Sequence, residues 1–274
     1  MIAFVEPPRE FAPGSPARSI DELTQTVSAS RLNTWTQCRL KFLFRYVIGV
    51  QKPPTPALHV GKTVHAVLQQ WNLTRWRGAP LQADALEAVF EQVWSAEQEG
   101  AAIEWNGEEA SVKAHALSMI QIYLRETLIP VEERPEGVEV SVEMDLSSRG
   151  LPTLIGVLDL VRSGGRIVDF KTTGRTPTPE MVQHTTETQT TGYALLYREA
   201  TGSQEAGIEL HHLVKTKTPK LVVTATGPAS EAQVSRLYRV IDSYVDGLVR
   251  EDFVPSPGLQ CASCEFFREC RAWH

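Results

Sequence analysis

The sequence predicts an α/β fold, a central mixed sheet flanked by helices, and two observations carry that expectation. Hydrophobic spacing is helical from Ser28 to about residue 128, turns to strict alternation at Gly137, and then mixes both patterns to about residue 250. The chain has 274 residues, 42% of them apolar and 22% charged, enough for a full core, which excludes disorder as its main state.

Residues 1–27 contain Pro7, Pro8, Pro13 and Pro16 with little apolar periodicity, so they read as an extended or loosely ordered arm. One domain is expected over 28–274: a helical part at about 28–130, a sheet core at about 137–250 and a cysteine-rich tail at 251–274. Ser28 or Ser30 can cap a helix in which Leu32, Trp35, Phe42 and Tyr46 recur at helical spacing. That helix should run to near Gly49 and the Pro53-Pro54 pair, with Cys38 on it. Further helices are expected over Val60–Trp76, 81–99 and 109–128, the last stopped by Pro130. The runs VEVSVEMDL, TLIGVLDLV and RIVDFKTT are three strands, and Ser163-Gly164-Gly165 is a hairpin turn between the second and third. A helix over 179–200, strands near 207–214 and 220–226, and a helix over 229–250 complete the pattern.

Net charge is −6, but the charge is segregated. Leu23 to Ala83 contains no Asp or Glu and eight cations, among them Arg31, Arg39, Lys41, Arg45 and Lys62; Asp84 to Glu109 contains eight acids and no Lys or Arg. Such a stretch can form a basic surface for a polyanion, with those five residues as candidate contacts. The alternative is two helix faces of opposite sign that pair with each other. No run approaches the eighteen or so apolar residues of a membrane span, and there is no charged-then-apolar leader, so a cytoplasmic protein without a membrane partner is expected.

The hairpin carries the clearest chemistry. With a three-residue turn Arg162 pairs with Arg166, which sets Asp159 opposite Asp169. Two carboxylates so placed repel unless something positive lies between them. Lys171, two residues on, shares the face of Asp169. Two carboxylates and an ammonium suit Mg²⁺ or Mn²⁺ and a reacting phosphate, although so short a pattern also arises as a structural ion pair. His65 lies on the second helix. Gly61-Lys62-Thr63 there looks like the end of a phosphate-binding loop, but Pro56 stands where that motif needs glycine. Gln189, Tyr193 and Tyr197 share one helix face. The four cysteines, Cys38, Cys261, Cys264 and Cys270, have a spacing that fits a metal or cluster, with zinc and iron–sulfur both open.

Taken in order, SRLNTWTQCRLKF, GKTVH, GVLDLV, DFKT, QTTGY and CASCEFFREC resemble the RecB-like branch of the PD-(D/E)XK nuclease superfamily, and more narrowly its iron–sulfur members. These include CRISPR-adaptation and phage exonucleases and the nuclease domains of helicase–nucleases. The resemblance covers about residues 28–272 and implies a restriction-endonuclease-like core. It implies that His65, Asp159, Asp169 and the Phe170 carbonyl bind Mg²⁺ or Mn²⁺, that Lys171 is catalytic, and that Gln189 and Tyr193 position the substrate backbone. It implies that Cys38, Cys261, Cys264 and Cys270 hold a [4Fe–4S] cluster stapling the tail onto the first helix, structural Zn²⁺ being the alternative. The implied activity is phosphodiester hydrolysis at single-stranded DNA ends, with helicase, recombination or CRISPR-adaptation proteins as possible partners. The competing expectation is a non-catalytic DNA-end-binding or assembly subunit.

Overall fold

The computed structural model describes residues 17–79, 81 and 85–273; residues 1–16 of the expected arm lie outside them. The described end of that arm is not loose. Ser19 caps helix α1 (Ile20–Gln25) through a capping box with Glu22, whose N–H donates to Ser19 Oγ at 3.2 Å while its carboxylate accepts from the Ser19 N–H at 2.7 Å. Strand β1 (Thr26–Ser28) follows directly, and Leu23 and Val27 are both fully buried. Tyr244 Oη donates to the Leu23 carbonyl at 2.9 Å, tying this segment to the far end of the chain. These elements are too short to show a period, which is why alternation and helical spacing both miss them.

The first long helix is interrupted. It forms α2 (Ala29–Gln37), α3 (Arg39–Phe42) and a wider π turn over Leu43–Val47. Cys38 lies at the break in an extended conformation, φ −166° and ψ 112°, and its Sγ accepts from the Lys41 N–H at 3.5 Å. Cys38 therefore caps a helix and does not ride on one. The other helices are α4 (Pro56–Trp76), started by the Thr55 cap and Pro56, α5 (Leu86–Gln98), α6 (Glu109–Glu126), α7 (Pro179–Thr201), α8 (Glu231–Val249) and the short α9 (Phe267–Ala272).

The described strands form one mixed sheet of six: β1, β2 (Gly137–Met144), β3 (Thr153–Arg162), β4 (Arg166–Thr173), β5 (Ile208–Val214) and β6 (Lys220–Thr226). The order is β1-β3-β4-β5-β6 with β2 on the other edge of β3. β2 runs antiparallel along β3 from Met144↔Leu154 to Gly137↔Val161. The opposite edge of β3 is divided. β4 takes only Leu160, Val161 and Arg162, and β1 takes Thr153, Leu154 and Ile155 in parallel. Between them the edge from Gly156 to Asp159 is open. β4 leaves because it pairs in parallel with β5 from Ile167↔Ile208 to Thr173↔Val214. The sheet thus opens at the place where Asp159 and Asp169 would have met.

Helices cover both faces. One core joins Leu32 and Trp35 of α2, Leu195 and Leu196 of α7 and Ile241 and Tyr244 of α8 to Leu154 and Leu158 of β3. The other joins Val64 and Leu68 of α4, Phe90 of α5 and Met119 of α6 to Val168 and Phe170 of β4. A smaller third cluster packs Leu40, Leu43 and Phe44 against Phe266 of the tail. Gly156 lets α7 lie close to β3: a Cβ there would meet Leu196 Cδ1 at 2.6 Å, with Tyr193 Cε1 at 3.8 Å. Among the described residues no helix is long and apolar enough to cross a membrane.

Candidate active site

The hairpin register is the one that the turn predicts, with Arg162↔Arg166, Val161↔Ile167 and Leu160↔Val168. The ladder ends one pair before Asp159 and Asp169. Asp159 instead reaches across the opening, its Oδ2 accepting from the Phe170 N–H at 2.9 Å. Period two sends the Phe170 side chain into the α4–α6 core and leaves Asp169 and Lys171 on the α7 side.

There Asp169 is held from three directions. Lys171 Nζ stands 3.1 Å from Oδ1 and 2.9 Å from Oδ2, and Gln189 Nε2 and Tyr193 Oη donate to Oδ1 at 3.0 and 3.2 Å. Gln189 also donates to Tyr193 Oη at 2.7 Å, so the helical i, i+4 pair acts as one polar clamp. Burial opposes charge on Lys171, but the Asp169 and Asp159 carboxylates outweigh it and hold the ammonium above its ordinary range. Burial, then Asp169 and Asp159, push the Tyr193 phenol well above its ordinary range, so it remains a protonated donor. Tyr197, the third residue of that helix face, is buried in the core and takes no part in the clamp.

His65 projects from α4 to the other side of Asp159, with Nδ1 3.4 Å from Oδ2, and its ring packs edge-on to Phe170 at 6.1 Å. One further acid, absent from the sequence expectation, joins it. Glu139 of β2 offers a carboxylate oxygen that lies, with one ligand atom each of His65 and Asp159, in a group within 4.8 Å of one another. Burial, then Asp159 and Asp169, push the Glu139 carboxyl up to about 8. Burial raises Asp159 as well, with His65 pulling it down and Asp169 pushing it up. Two crowded, buried carboxylates whose charge burial and mutual repulsion disfavour, beside an imidazole, are a donor set that fits a hard divalent cation. Glu139 escapes sequence reading because VEVSVEM is an ordinary strand pattern; the one relevant sign, its position opposite Asp159, needs the β2 register.

A groove of about 260 Å³ leads from Lys171, Gln189 and Tyr193 along the open edge of β3 to Ser28, Ser30 and Asn33 at the start of α2. The profile of the PD-(D/E)XK nuclease superfamily matches residues 26–271. The chain belongs to the PD-(D/E)XK nuclease superfamily. Its sheet, divided at the carboxylate hairpin and covered on both faces, is the restriction-endonuclease-like core expected of that superfamily. Among solved structures, a protein of Eubacterium rectale provisionally described as an exonuclease superposes with TM-score 0.60 at 13% identity, over 93% of this chain and 91% of that one. A structure described as SSO0001 superposes with TM-score 0.42 at 12% identity, over 90% of this chain and 86% of that one. No curated protein is significantly similar.

Among the five predicted basic contacts, Arg31 is a correction. Arg31 is 2% exposed and donates to Thr26 Oγ1 at 2.7 Å, so it is a core residue. Arg39 pairs with Asp252, Arg45 and Lys41 with Glu265, and Lys62 with Glu97 at 3.6 Å. Lys52 similarly meets Glu269 at 2.5 Å. The cations of the acid-free stretch thus pair mostly with acids of the tail, Asp252, Glu265 and Glu269, and not with the 84–109 acids that the pairing alternative invoked, of which Glu97 meets Lys62. Other exposed cations are Arg175, just past β4, Lys215 and Lys217 in the β5–β6 connection, and Lys220 at the start of β6. Lys215 N–H donates to the Thr173 carbonyl at 2.7 Å, which sets that connection beside the end of the Lys171 strand.

The four cysteines are brought together. Cys38 from the α2–α3 break and Cys261, Cys264 and Cys270 from the tail line one cavity, and all are free thiols. Burial, then the other three sulfurs, raise Cys270.

Proposed function

We propose that this chain is a RecB-like, Mg²⁺- or Mn²⁺-dependent deoxyribonuclease that works as an exonuclease on single-stranded DNA ends. The observation that carries the reading is the Asp169 clamp of Lys171, Gln189 and Tyr193 at an open sheet edge, with Asp159 and His65 across from it. Asp159, Asp169, His65 and the Phe170 carbonyl would hold the cation. When bound, it supplies Lewis-acid polarisation of a phosphate oxygen and a water of lowered pKa. Lys171, kept charged by two aspartates, stabilises negative charge on the reacting phosphate. Gln189 and Tyr193 fix the direction of Asp169 and face the groove, where they meet the substrate backbone. Arg175, Lys215, Lys217 and Lys220 supply the salt-dependent backbone contacts that the paired cations of the first helices do not.

The tail is proposed to be stapled by a [4Fe–4S] cluster on Cys38, Cys261, Cys264 and Cys270, with structural Zn²⁺ as the alternative. Four thiols around one cavity fit either. The resemblance to the iron–sulfur members of the superfamily is what favours the cluster. Strand-separating, recombination or CRISPR-adaptation proteins would supply the single-stranded ends.

The test is cleavage of end-labelled linear and covalently closed circular single-stranded DNA. Linear strands should shorten with Mg²⁺ or Mn²⁺ while circles persist, and EDTA should stop cleavage but only weaken binding. Rapid cutting of circles would make the enzyme an endonuclease. Binding without metal-dependent cutting would make the chain an end-binding subunit.

A further inference from the structure

β2 is bent out of its preferred backbone range to present Glu139. Its φ is +50°, a left-handed value in the middle of a strand, where residues with a Cβ rarely go and where strain marks functional sites. The ladder resumes in the same register on both sides, Val138↔Leu160 and Val140↔Leu158. Yet Val138 and Leu160 pack in the α4–α6 core while Val140 and Leu158 pack in the α7–α8 core. The alternation of both strands is therefore reset at Glu139 and Asp159, as a bulge re-aims a side chain. Among the described residues Glu139 has no hydrogen-bond or ion-pair partner. Asp169, by contrast, already meets Lys171, Gln189 and Tyr193. Its Oδ2 is buried and meets the Lys171 ammonium at 2.9 Å without hydrogen-bond geometry.

We propose that Glu139 is a protein ligand of the divalent cation, in a set with His65 and Asp159. The inference rests on the metal-dependent reading above and adds to it a carboxylate that the DFKT and GVLDLV motifs do not contain. A backbone already set in the left-handed region points this carboxylate before any cation arrives, and an added anionic ligand tightens a hard-cation site. The two β2–β3 acids and the α4 imidazole then draw on three elements that meet only in the folded chain.

The experiment measures Mn²⁺ binding without DNA, by calorimetry and by loss of the free-Mn²⁺ electron paramagnetic resonance signal. It compares wild type, E139Q, E139G and D159N, with circular dichroism in EDTA to check folding. Glycine adopts a positive φ freely, so E139G removes the carboxylate while relieving the backbone. E139Q and E139G should each bind Mn²⁺ at least about tenfold more weakly, in line with a lost anionic ligand, and D159N should bind more weakly still. Wild-type affinity in E139Q and E139G, with D159N defective, would overturn the Glu139 assignment alone. Wild-type affinity in D159N would overturn this proposal and the metal centre together.

Discussion

Replacing Glu139 by Gln in the metal-free protein should change how stability depends on pH. In the folded chain, burial and the neighbouring Asp159 and Asp169 push Glu139 up to about 8 from an ordinary 4.5. Between those two values the native state holds a proton that the unfolded chain has released. Stability from this group is then complete below about pH 4.5 and is lost as pH rises through about 8. At pH 7 the loss amounts to about 2.5 pH units, or about 3 kcal/mol, and solvent screening of a half-buried group brings it to the order of 2 kcal/mol. For a chain of this size that is a fall of roughly 4–8 °C in Tm. In EDTA, wild type and E139Q should melt within a few degrees of each other at pH 5, and E139Q should be the more stable by that margin at pH 7. Calorimetric melting at half-unit pH steps measures it. Parallel profiles for the two proteins across this range would refute the reasoning, because they would mean that Glu139 is ordinarily solvated and not crowded by Asp159.

Lys171→Ala should lower DNA cleavage by about 10²-fold or more while leaving DNA affinity within a few-fold, since it removes one positioned charge at the reacting phosphate; initial rates beside filter binding measure both. Lys215→Glu with Lys217→Glu should weaken DNA binding at low salt and reduce the slope of log affinity against log salt by roughly 0.7 per lost phosphate contact, with melting unchanged; an unaltered slope would remove the β5–β6 connection from the DNA path. Anaerobically purified protein should be brown, with broad absorption at about 400 nm from iron–thiolate ligation, and Cys264→Ser should bleach it and lower Tm; colourless protein holding one zinc would replace the cluster by zinc. Arg198→Ala should destabilise the fold by about 3–5 kcal/mol in urea, because it strips the charged partner from a buried carboxylate and leaves it the Ala229 N–H alone. That carboxylate is Glu205, whose side chain is fully buried and which meets Arg198 at 2.7 and 2.8 Å.

The local features of this protein were legible without coordinates because short-range rules generate them. The Ser163–Gly165 turn sets the hairpin sum, and Arg162↔Arg166 follows from it. Strand period two puts Lys171 beside Asp169, and helical spacing puts Gln189 over Tyr193; both pairs are in contact. Cysteine spacing likewise marks Cys261, Cys264 and Cys270 as one group. Other features depended on segments far apart in the chain. The opening beside Asp159 exists because β1 and β4 divide one edge of β3, a competition for hydrogen bonds that no single strand encodes. Arg39, Arg45 and Lys52 read as a free basic face until the tail, more than 200 residues away, lays Asp252, Glu265 and Glu269 on them. Glu139 is an unremarkable strand residue until the β2 register sets it opposite Asp159 and a left-handed φ turns it inward. Period and turn chemistry act over a few bonds and are written in neighbouring residues. Charge pairing and ligand convergence act through space, and the folded sheet alone decides which distant residues share it.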